Sequence, residues 1–134
     1  MPTEFRNEPL TDFTKAENAQ TMCAAIEKVK TQLGQEYPLV IGGERIATDG
    51  KIDSINPANR TQIVGRFNKA TKELANRAVE TASKTFETWK HVPAEERAQL
   101  LFRVAELMRA CKHELSAWMI HEVAKTWPEA DGDT

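Results

Sequence analysis

The sequence has 134 residues, 40% of them hydrophobic and 28% charged, and a formal net charge of −2 at pH 7. These values fit one ordinary soluble domain or a piece of one. The slight negative charge argues against a dedicated nucleic-acid-binding protein, which would neutralise phosphates with excess Lys and Arg. No apolar run approaches the roughly 20 residues needed to span a bilayer, and the polar start resembles neither a secretory signal nor a transit peptide. We therefore expect a cytoplasmic protein without nucleic-acid or membrane partners.

The first third of the chain predicts an extended arm followed by one helix. Residues 1–13 have no helical or strand periodicity. Thr14 and Glu17 form a capping box, which predicts a helix over residues 15–33. Its apolar stripe includes Cys23, and Gly34 supplies the left-handed conformation that commonly ends a helix.

Short β-prone runs over residues 37–67 predict an antiparallel meander. The runs are residues 39–41, 44–46, 51–55 and 62–67, and turn-forming residues separate them. The Gly42-Gly43 pair fits a hairpin turn better than a phosphate cradle, because a strand follows it and a cradle requires a helix.

Residues 71–125 predict three helices, and the last two organise the chain. Thr71 is a suitable cap for the first helix, and Pro93 suits the first position of the second. The apolar spacing after Pro93 is typical of a helix packed on one side and wet on the other, with a break over residues 111–113. A further helix begins within residues 128–134, but this stretch is too short to be stable alone.

The residues by themselves indicate no active site. His121-Glu122 could begin a zinc-protease motif, but that motif needs a second His at position 125, which is Lys. Cys23 and Cys111 lie on the apolar sides of predicted helices, which favours two reduced core thiols over a nucleophile.

Several segments, in this order, resemble the N-terminal part of the aldehyde dehydrogenase superfamily. Within that superfamily, three segments are similar to the 1-pyrroline-5-carboxylate dehydrogenase branch: residues 5–9 (FRNEP), 34–39 (GQEYPL) and 125–127 (KTW). The superfamily segments are residues 39–44 (LVIGGE), 55–57 (INP), 63–65 (IVG), 86–89 (FETW), 93–97 (PAEER), 100–108, 114–115 and 122–125 (EVAK). The chain departs from the family at Ala124, where Gly is usual. A left-handed backbone there would cost Ala roughly 1 kcal/mol relative to Gly.

The resemblance implies an α/β fold of the aldehyde dehydrogenase type, of which residues 1–134 are the N-terminal segment of the NAD-binding domain. This segment would be mainly α-helical with a small antiparallel β meander. The complete enzyme would be a homo-oligomer that oxidises L-glutamate γ-semialdehyde to L-glutamate with NAD, in proline and arginine catabolism. The family's nucleophile, general base and NAD-binding sheet lie later than this segment. We therefore expect no catalytic and no cofactor-binding residue here, and the remainder of the dehydrogenase as the partner.

The resemblance also implies one candidate site. Some family members hold a monovalent cation with carbonyls before the Asn-Pro turn and with an acidic residue before the Gly-Lys pair. Those positions correspond to Ser54, Ile55 and Glu122, and a helix-terminal Glu122 without an ion is the alternative. A second alternative concerns the whole chain, which could be a stand-alone helical binding or regulatory module derived from the same segment.

Overall fold

The structure is a computed structural model that describes residues 6–134. The described residues form five helices and five short strands. In chain order these are α1 (Ala16–Lys30), β1 (Gln35–Tyr37), β2 (Leu39–Ile41), β3 (Glu44–Ile46), β4 (Lys51–Ile55), β5 (Ile63–Asn68), α2 (Lys72–Trp89), α3 (Ala94–Ala110), α4 (Lys112–Val123) and α5 (Trp127–Asp133). The mainly helical composition with a small β layer confirms the predicted fold class.

The β layer consists of two sheets, a β2–β3 hairpin and a three-stranded sheet in the order β1-β5-β4. The hairpin turns at Gly42 and Gly43, both with positive φ, as the two central residues of a type I′ turn require. The hairpin and the antiparallel β4–β5 pair agree with the prediction. The continuous antiparallel meander is wrong, because β3 does not pair with β4 and β1 pairs with β5 in parallel.

Strand β1 was not predicted from the sequence, because its partner strand lies about thirty residues later in the chain. Gln35 of β1 pairs with Gly65 of β5. A buried polar side chain holds the two strands together. The Asn68 amide nitrogen donates to Glu36 at 3.0 Å and to the carbonyl of Tyr37 at 2.9 Å. Lys51 on β4 contributes hydrogen bonds to the same cluster. The bond from Lys51, followed by that from Asn68, lowers the pKa of Glu36.

Among the helix pairs of the described residues, α1 and α4 make the most extensive contact. Met22 and Val29, seven residues apart on α1, are fully buried, as residues two helical turns apart on one face should be. Ser116 and Ala117 on α4 are also fully buried, and their small side chains let the helices approach closely. Lys28 on α1 closes the edge of this contact with an ion pair to Glu114 at 2.7 Å.

The ends of α1 differ from the prediction. Thr14 does not cap the helix, because its hydroxyl donates to Asp12 at 2.6 Å and Lys15 occupies the N-cap position. The hydrogen bond from Thr14 lowers the pKa of Asp12. The helix ends at Lys30, and Gly34, with φ 78°, donates its N–H to Val64 instead. Gly34 therefore directs the chain into β1 and does not cap the helix. The buried position predicted for Cys23 is also wrong, since that thiol is exposed.

The later helices agree with the sequence more closely. The Thr71 hydroxyl accepts the N–H of Leu74 at 3.3 Å and caps α2, and α3 and α4 meet at Cys111. Two predicted positions shift by one residue. Pro93 is the N-cap of α3, not its first residue, and α5 begins at Trp127, with Thr126 and Glu129 forming a capping box.

Helices α2 and α3 bury none of their residues in the described chain. Exposed large apolar side chains follow α3 along most of its length: Leu100, Leu101, Phe102, Val104, Leu107 and Met108. The sequence predicted that one side of this helix would be packed, and residues 6–134 do not supply that packing. Within the same residues, no helix has the length and apolar character needed to cross a membrane.

Candidate functional site

The candidate site lies where the end of β4 meets the last turn of α4. Ser54 is the penultimate residue of β4, and Glu122 is the penultimate residue of α4. The Ser54 hydroxyl donates a hydrogen bond to the Glu122 carboxylate, with 3.0 Å between Oγ and Oε1. The fold therefore brings together two residues that are 68 positions apart in the chain.

The pairing of β4 with β5 is irregular opposite the candidate site. The register shifts between Ser54 and Ile55, so that Ser54 lies opposite Gly65 and Ile55 opposite Ile63. The extra residue of this β-bulge is Val64 on β5, and a bulge locally interrupts the ladder.

The turn after β4 is fixed by the buried side chain of Asn56. Its carbonyl oxygen accepts the N–H of Ala58 at 2.9 Å, and its amide nitrogen donates to Gln62 at 2.8 Å. The Asn56 N–H also donates to the Gln62 carbonyl at 3.0 Å. These bonds hold the Asn56-Pro57 turn in one conformation, and the turn in turn fixes the direction of Ser54 and Ile55.

Glu122 is held in place by a tight backbone turn at the end of α4. Ala124, the residue that ends the helix, has φ 54° and ψ 35°, the left-handed conformation. Gly, the residue usual at this position in the family, adopts this conformation without the steric cost that a Cβ adds. His121, the neighbour of Glu122, points towards α1, with its Nε2 3.5 Å from the carbonyl of Ile26. His121 therefore belongs to the helix contact and not to a site shared with Glu122.

Sequence reasoning missed an apolar cavity beside Glu122. The cavity has a volume of about 300 Å³ and is lined by Tyr37, Val64, Gly65, Phe67, Trp118 and Glu122. The Tyr37 and Phe67 rings stack with 5.3 Å between centroids. A Cβ at position 65 would lie 3.1 Å from the Tyr37 ring and 3.2 Å from the Phe67 ring, so Gly65 makes room for the stack. No local signal reveals this cavity, because it depends on the pairing of β1 with β5.

The donor set of the candidate site suits a hard cation. Its side chains are one carboxylate and one hydroxyl, and the resemblance adds the carbonyls of Ser54 and Ile55. All of these ligands would be oxygen, the ligand type of alkali and alkaline-earth ions and not of zinc or copper. Among residues 6–134, no group of three or more His, Cys, Asp or Glu side chains is placed to hold a metal ion. The residues present therefore fit a monovalent alkali ion better than a transition metal.

Neither cysteine stands in a catalytic arrangement. Cys23 is exposed on α1, and the Cys111 thiol donates to the Leu107 carbonyl at 3.1 Å, which is a helix-end contact. The Gly42-Gly43 turn joins two antiparallel strands, whereas a pyrophosphate site requires a strand, a Gly-rich turn and a helix in succession. The Gly42-Gly43 turn therefore does not form such a site, and we assign no hydride-transfer step to the described residues.

Comparisons with known proteins place the chain in one family. The model of the aldehyde dehydrogenase family matches residues 45–134. The 1-pyrroline-5-carboxylate dehydrogenase of Geobacillus kaustophilus is 54% identical over all 134 residues, which are 26% of that protein. The chain therefore spans about a quarter of the length of this curated relative.

Solved structures agree. The 1-pyrroline-5-carboxylate dehydrogenase from Thermus with bound NAD is 42% identical, with a TM-score of 0.95 over 98% of this chain and 26% of that one. The enzyme from Mycobacterium tuberculosis bound with NAD and cobalamin is 25% identical, with a TM-score of 0.87 over 98% of this chain and 24% of that one. The match to the family model covers more than half of the sequence, and this chain belongs to the aldehyde dehydrogenase family.

Proposed function

We propose that this chain is the N-terminal part of an NAD-dependent dehydrogenase that oxidises L-glutamate γ-semialdehyde to L-glutamate in proline and arginine catabolism. The observation that carries the proposal is the 54% identity to a 1-pyrroline-5-carboxylate dehydrogenase along the whole chain. The structural match to an NAD-bound relative supports NAD as the cofactor of the complete enzyme. Part of the branch assignment depends on Phe5, which lies outside the described residues.

In this proposal the chain contributes a wall of the enzyme and none of its reacting groups. The nucleophile, the base and the NAD-binding sheet come from the remainder of the dehydrogenase, and the complete protein is a homo-oligomer in the cytoplasm. The exposed apolar surface of α3 supports a large intramolecular partner. It favours this function over a stand-alone regulatory module, which would bury its own helices.

A chimaeric enzyme tests the proposal directly. Residues 1–134 are joined to the remaining three quarters of the Geobacillus kaustophilus enzyme, and NADH formation is measured with three aldehydes. We expect kcat/KM for glutamate γ-semialdehyde to exceed that for betaine aldehyde and succinate semialdehyde by at least about tenfold. A preference for either of the other aldehydes would leave the family assignment standing and refute the substrate. The unmodified Geobacillus enzyme is the control for the junction.

We also propose that Ser54, Ile55 and Glu122 hold a monovalent cation, with the carbonyl oxygens of Ser54 and Ile55 and the Glu122 carboxylate as ligands. The contact between the Ser54 hydroxyl and the Glu122 carboxylate, at 3.0 Å, supports this assignment. The ion would tie the end of β4 to the end of α4. This role is structural, because the described residues near it include no reacting group.

The cation is tested in the same chimaera by thermal unfolding in sodium, potassium or choline chloride at equal ionic strength. An ion that binds the folded state stabilises it by RT ln(1 + [L]/Kd) and so raises the Tm. We therefore expect sodium or potassium to stabilise the chimaera relative to choline. The Glu122→Gln variant should lose that difference. Equal Tm values in all three salts, or a difference that survives in Glu122→Gln, would refute the site.

A further inference from the structure

The segment before α1, residues 8–13, lies along α5 and the corner between α3 and α4. We call residues 8–13 the strap. Its contacts join residues that are about 100 to 120 positions apart in the chain. The strap has no regular secondary structure of its own up to residue 12. Its position therefore depends on side-chain contacts with the helices.

Two strap residues contact one face of α5. Thr11 bonds to Asp131, and the Phe13 ring packs edge-to-face on Trp127 with 5.5 Å between centroids. Trp127 and Asp131 are four residues apart and share one face of α5. Thr11 and Phe13 therefore contact α5 over about one helical turn.

The Asp131 carboxylate is the centre of this contact. Its side chain is 1% exposed. Oδ2 accepts the N–H of Thr11 at 2.7 Å, and Oδ1 accepts the Thr11 hydroxyl at 2.6 Å and the Lys112 ammonium at 2.9 Å. A buried carboxylate is tolerated only when it is paired and hydrogen-bonded in this way. The strap supplies two of these three partners. Its detachment would leave the buried carboxylate with the Lys112 ammonium as its one remaining partner among the three.

Lys112 extends the contact from α5 to the corner between α3 and α4. Its ammonium donates to the carbonyl of Pro9 at 3.2 Å and to the Thr11 hydroxyl at 3.3 Å, in addition to Asp131. One residue earlier in the strap, Glu8 pairs with Arg109 on α3 at 2.7 Å. The strap is thus attached to three helices at successive positions, not at a single point.

We propose that the strap is a conformational device that fixes α5 against α4 through the buried Asp131 carboxylate. When the strap is attached, Lys112 neutralises the Asp131 carboxylate, Thr11 donates two hydrogen bonds to it, and α5 stays on α4. When the strap detaches, Asp131 loses two donors, and α5 is expected to separate from α4. Because α5 begins just after the Ala124 turn, its separation would also loosen residues 124–126, which follow Glu122. The inference concerns this chain alone and does not depend on the dehydrogenase activity.

Hydrogen exchange followed by mass spectrometry on the chimaera of residues 1–134 with the remainder of the Geobacillus kaustophilus enzyme tests the proposal. In the chimaera with the unsubstituted chain, we expect the amides of the strap and of α5 to be protected together. Asp131→Asn removes the charge while keeping the shape of the side chain. We expect it to speed exchange in the strap, in α5 and in residues 124–126 by at least about tenfold. Thr11→Val removes only the hydroxyl and should give a smaller increase, about threefold, in the same segments.

Asp133→Asn is the matched control, because it makes the same chemical change on the same helix at a side chain that is 55% exposed. It should change strap exchange by less than about twofold. The proposal is overturned if the strap of the unsubstituted chain is unprotected. It is equally overturned if Asp131→Asn affects α5 without the strap, if neither Asp131→Asn nor Thr11→Val has an effect, or if Asp133→Asn acts as strongly as Asp131→Asn.

Discussion

The two ends of the helical layer are built from similar amphipathic helices but differ in what covers them. Helices α1, α4 and α5 and the strap form a closed half, in which Met22, Val29, Ala117 and Ala130 are inaccessible to solvent. Helices α2 and α3 form an open half, in which no residue is buried. The apolar stripes of α2 and α3 need a packing partner as the buried positions of α1 and α4 do. The difference therefore lies in which half finds its packing partners within residues 6–134.

The largest effect expected from the comparison of the two halves is the absence of dehydrogenase activity in the isolated chain. We expect the purified 134-residue chain to form no NADH from NAD and glutamate γ-semialdehyde. Neither half holds an activated nucleophile or a Gly-rich turn for the pyrophosphate. Calorimetry should also detect no NAD binding at a dissociation constant of about tens of micromolar or tighter. Aldehyde oxidation that disappears on alkylation of Cys23 or Cys111 would contradict the prediction.

The open half should also prevent cooperative unfolding of the isolated chain. Full burial of one large apolar side chain is worth about 1.5–3 kcal/mol, and α3 alone exposes six of them. The free energy that burial of these side chains would contribute is comparable with the roughly 5–15 kcal/mol by which a typical domain is stable. We expect helical circular dichroism with a broad thermal transition and binding of a hydrophobic dye. A monomer with a sharp melt and dispersed amide resonances would show that the chain closes its own core.

Paired substitutions in the two halves sharpen the comparison. Met22→Ala in α1 should lower the free energy of local opening of α1 and α4 by about 2–5 kcal/mol, because the side chain is fully buried and leaves a cavity. Leu101→Ala in α3 should change the free energy of opening by less than about 0.5 kcal/mol, because that side chain is 71% exposed. Native-state hydrogen exchange measures both. Similar values for the two substitutions would mean that α3 is covered in solution.

Acid should open the closed half at the strap. Burial alone raises the pKa of Asp131, but the hydrogen bonds from Thr11 and then the contact with Lys112 outweigh it, and the pKa falls below its ordinary 3.8. A carboxyl group whose pKa is lower in the folded state stabilises the fold above its unfolded pKa. That stabilisation is lost as the pH falls through the folded pKa. We therefore expect the strap to stay attached from about pH 5 to 8. The stabilisation should begin to decline near the ordinary pKa of 3.8 and should be lost only as the pH falls through the lower pKa of the folded state.

Detachment is measured by the rate at which an acid-tolerant protease cleaves the strap. The pH dependence of the protease itself is corrected with the cleavage rate of an unstructured peptide of the same sequence. The Asp131→Asn variant is the control and should lack this step, since it has no carboxyl group to titrate at that position. Detachment that begins between pH 5 and 8, or an equal step in Asp131→Asn, would show that another group controls the strap.

The same division explains which features could be predicted from the sequence. Local signals were sufficient for the Thr71 cap, the Gly42-Gly43 hairpin and the break at Cys111, because each depends on residues within a few positions. The parallel pairing of β1 with β5 and the strap on α5 join distant residues that no periodicity connects. Thr14 shows competition between local signals, since its hydroxyl bonds to Asp12 and leaves the cap unfilled.

The candidate site was predicted in part and missed in part. The positions of Ser54 and Glu122 were expected from the family resemblance, and the structure places their side chains in hydrogen-bond contact. No pattern in the sequence alone would have joined β4 to α4. The apolar cavity beside Glu122 was missed for the same reason that β1 was missed, because its Tyr37 and Phe67 walls come from the parallel pair. The cation itself stays a prediction.

The smallest expected effect concerns one residue at the edge of the closed half, Ala124. Its left-handed backbone, φ 54°, costs a residue with a Cβ about 1–2 kcal/mol. Glycine would remove that cost but would raise the entropy of the unfolded chain by an equivalent of about 0.4–1 kcal/mol. We therefore expect Ala124→Gly to raise the free energy of local opening at the end of α4 by about 0.5–1 kcal/mol.

The matched control is Ala24→Gly, at an exposed helical position inside α1, where the same change should lower the free energy of opening by about 1 kcal/mol. Hydrogen exchange at the two helices gives both values under identical conditions, and a loss of protection near Ala124 would mean that its methyl group makes contacts worth more than the backbone strain.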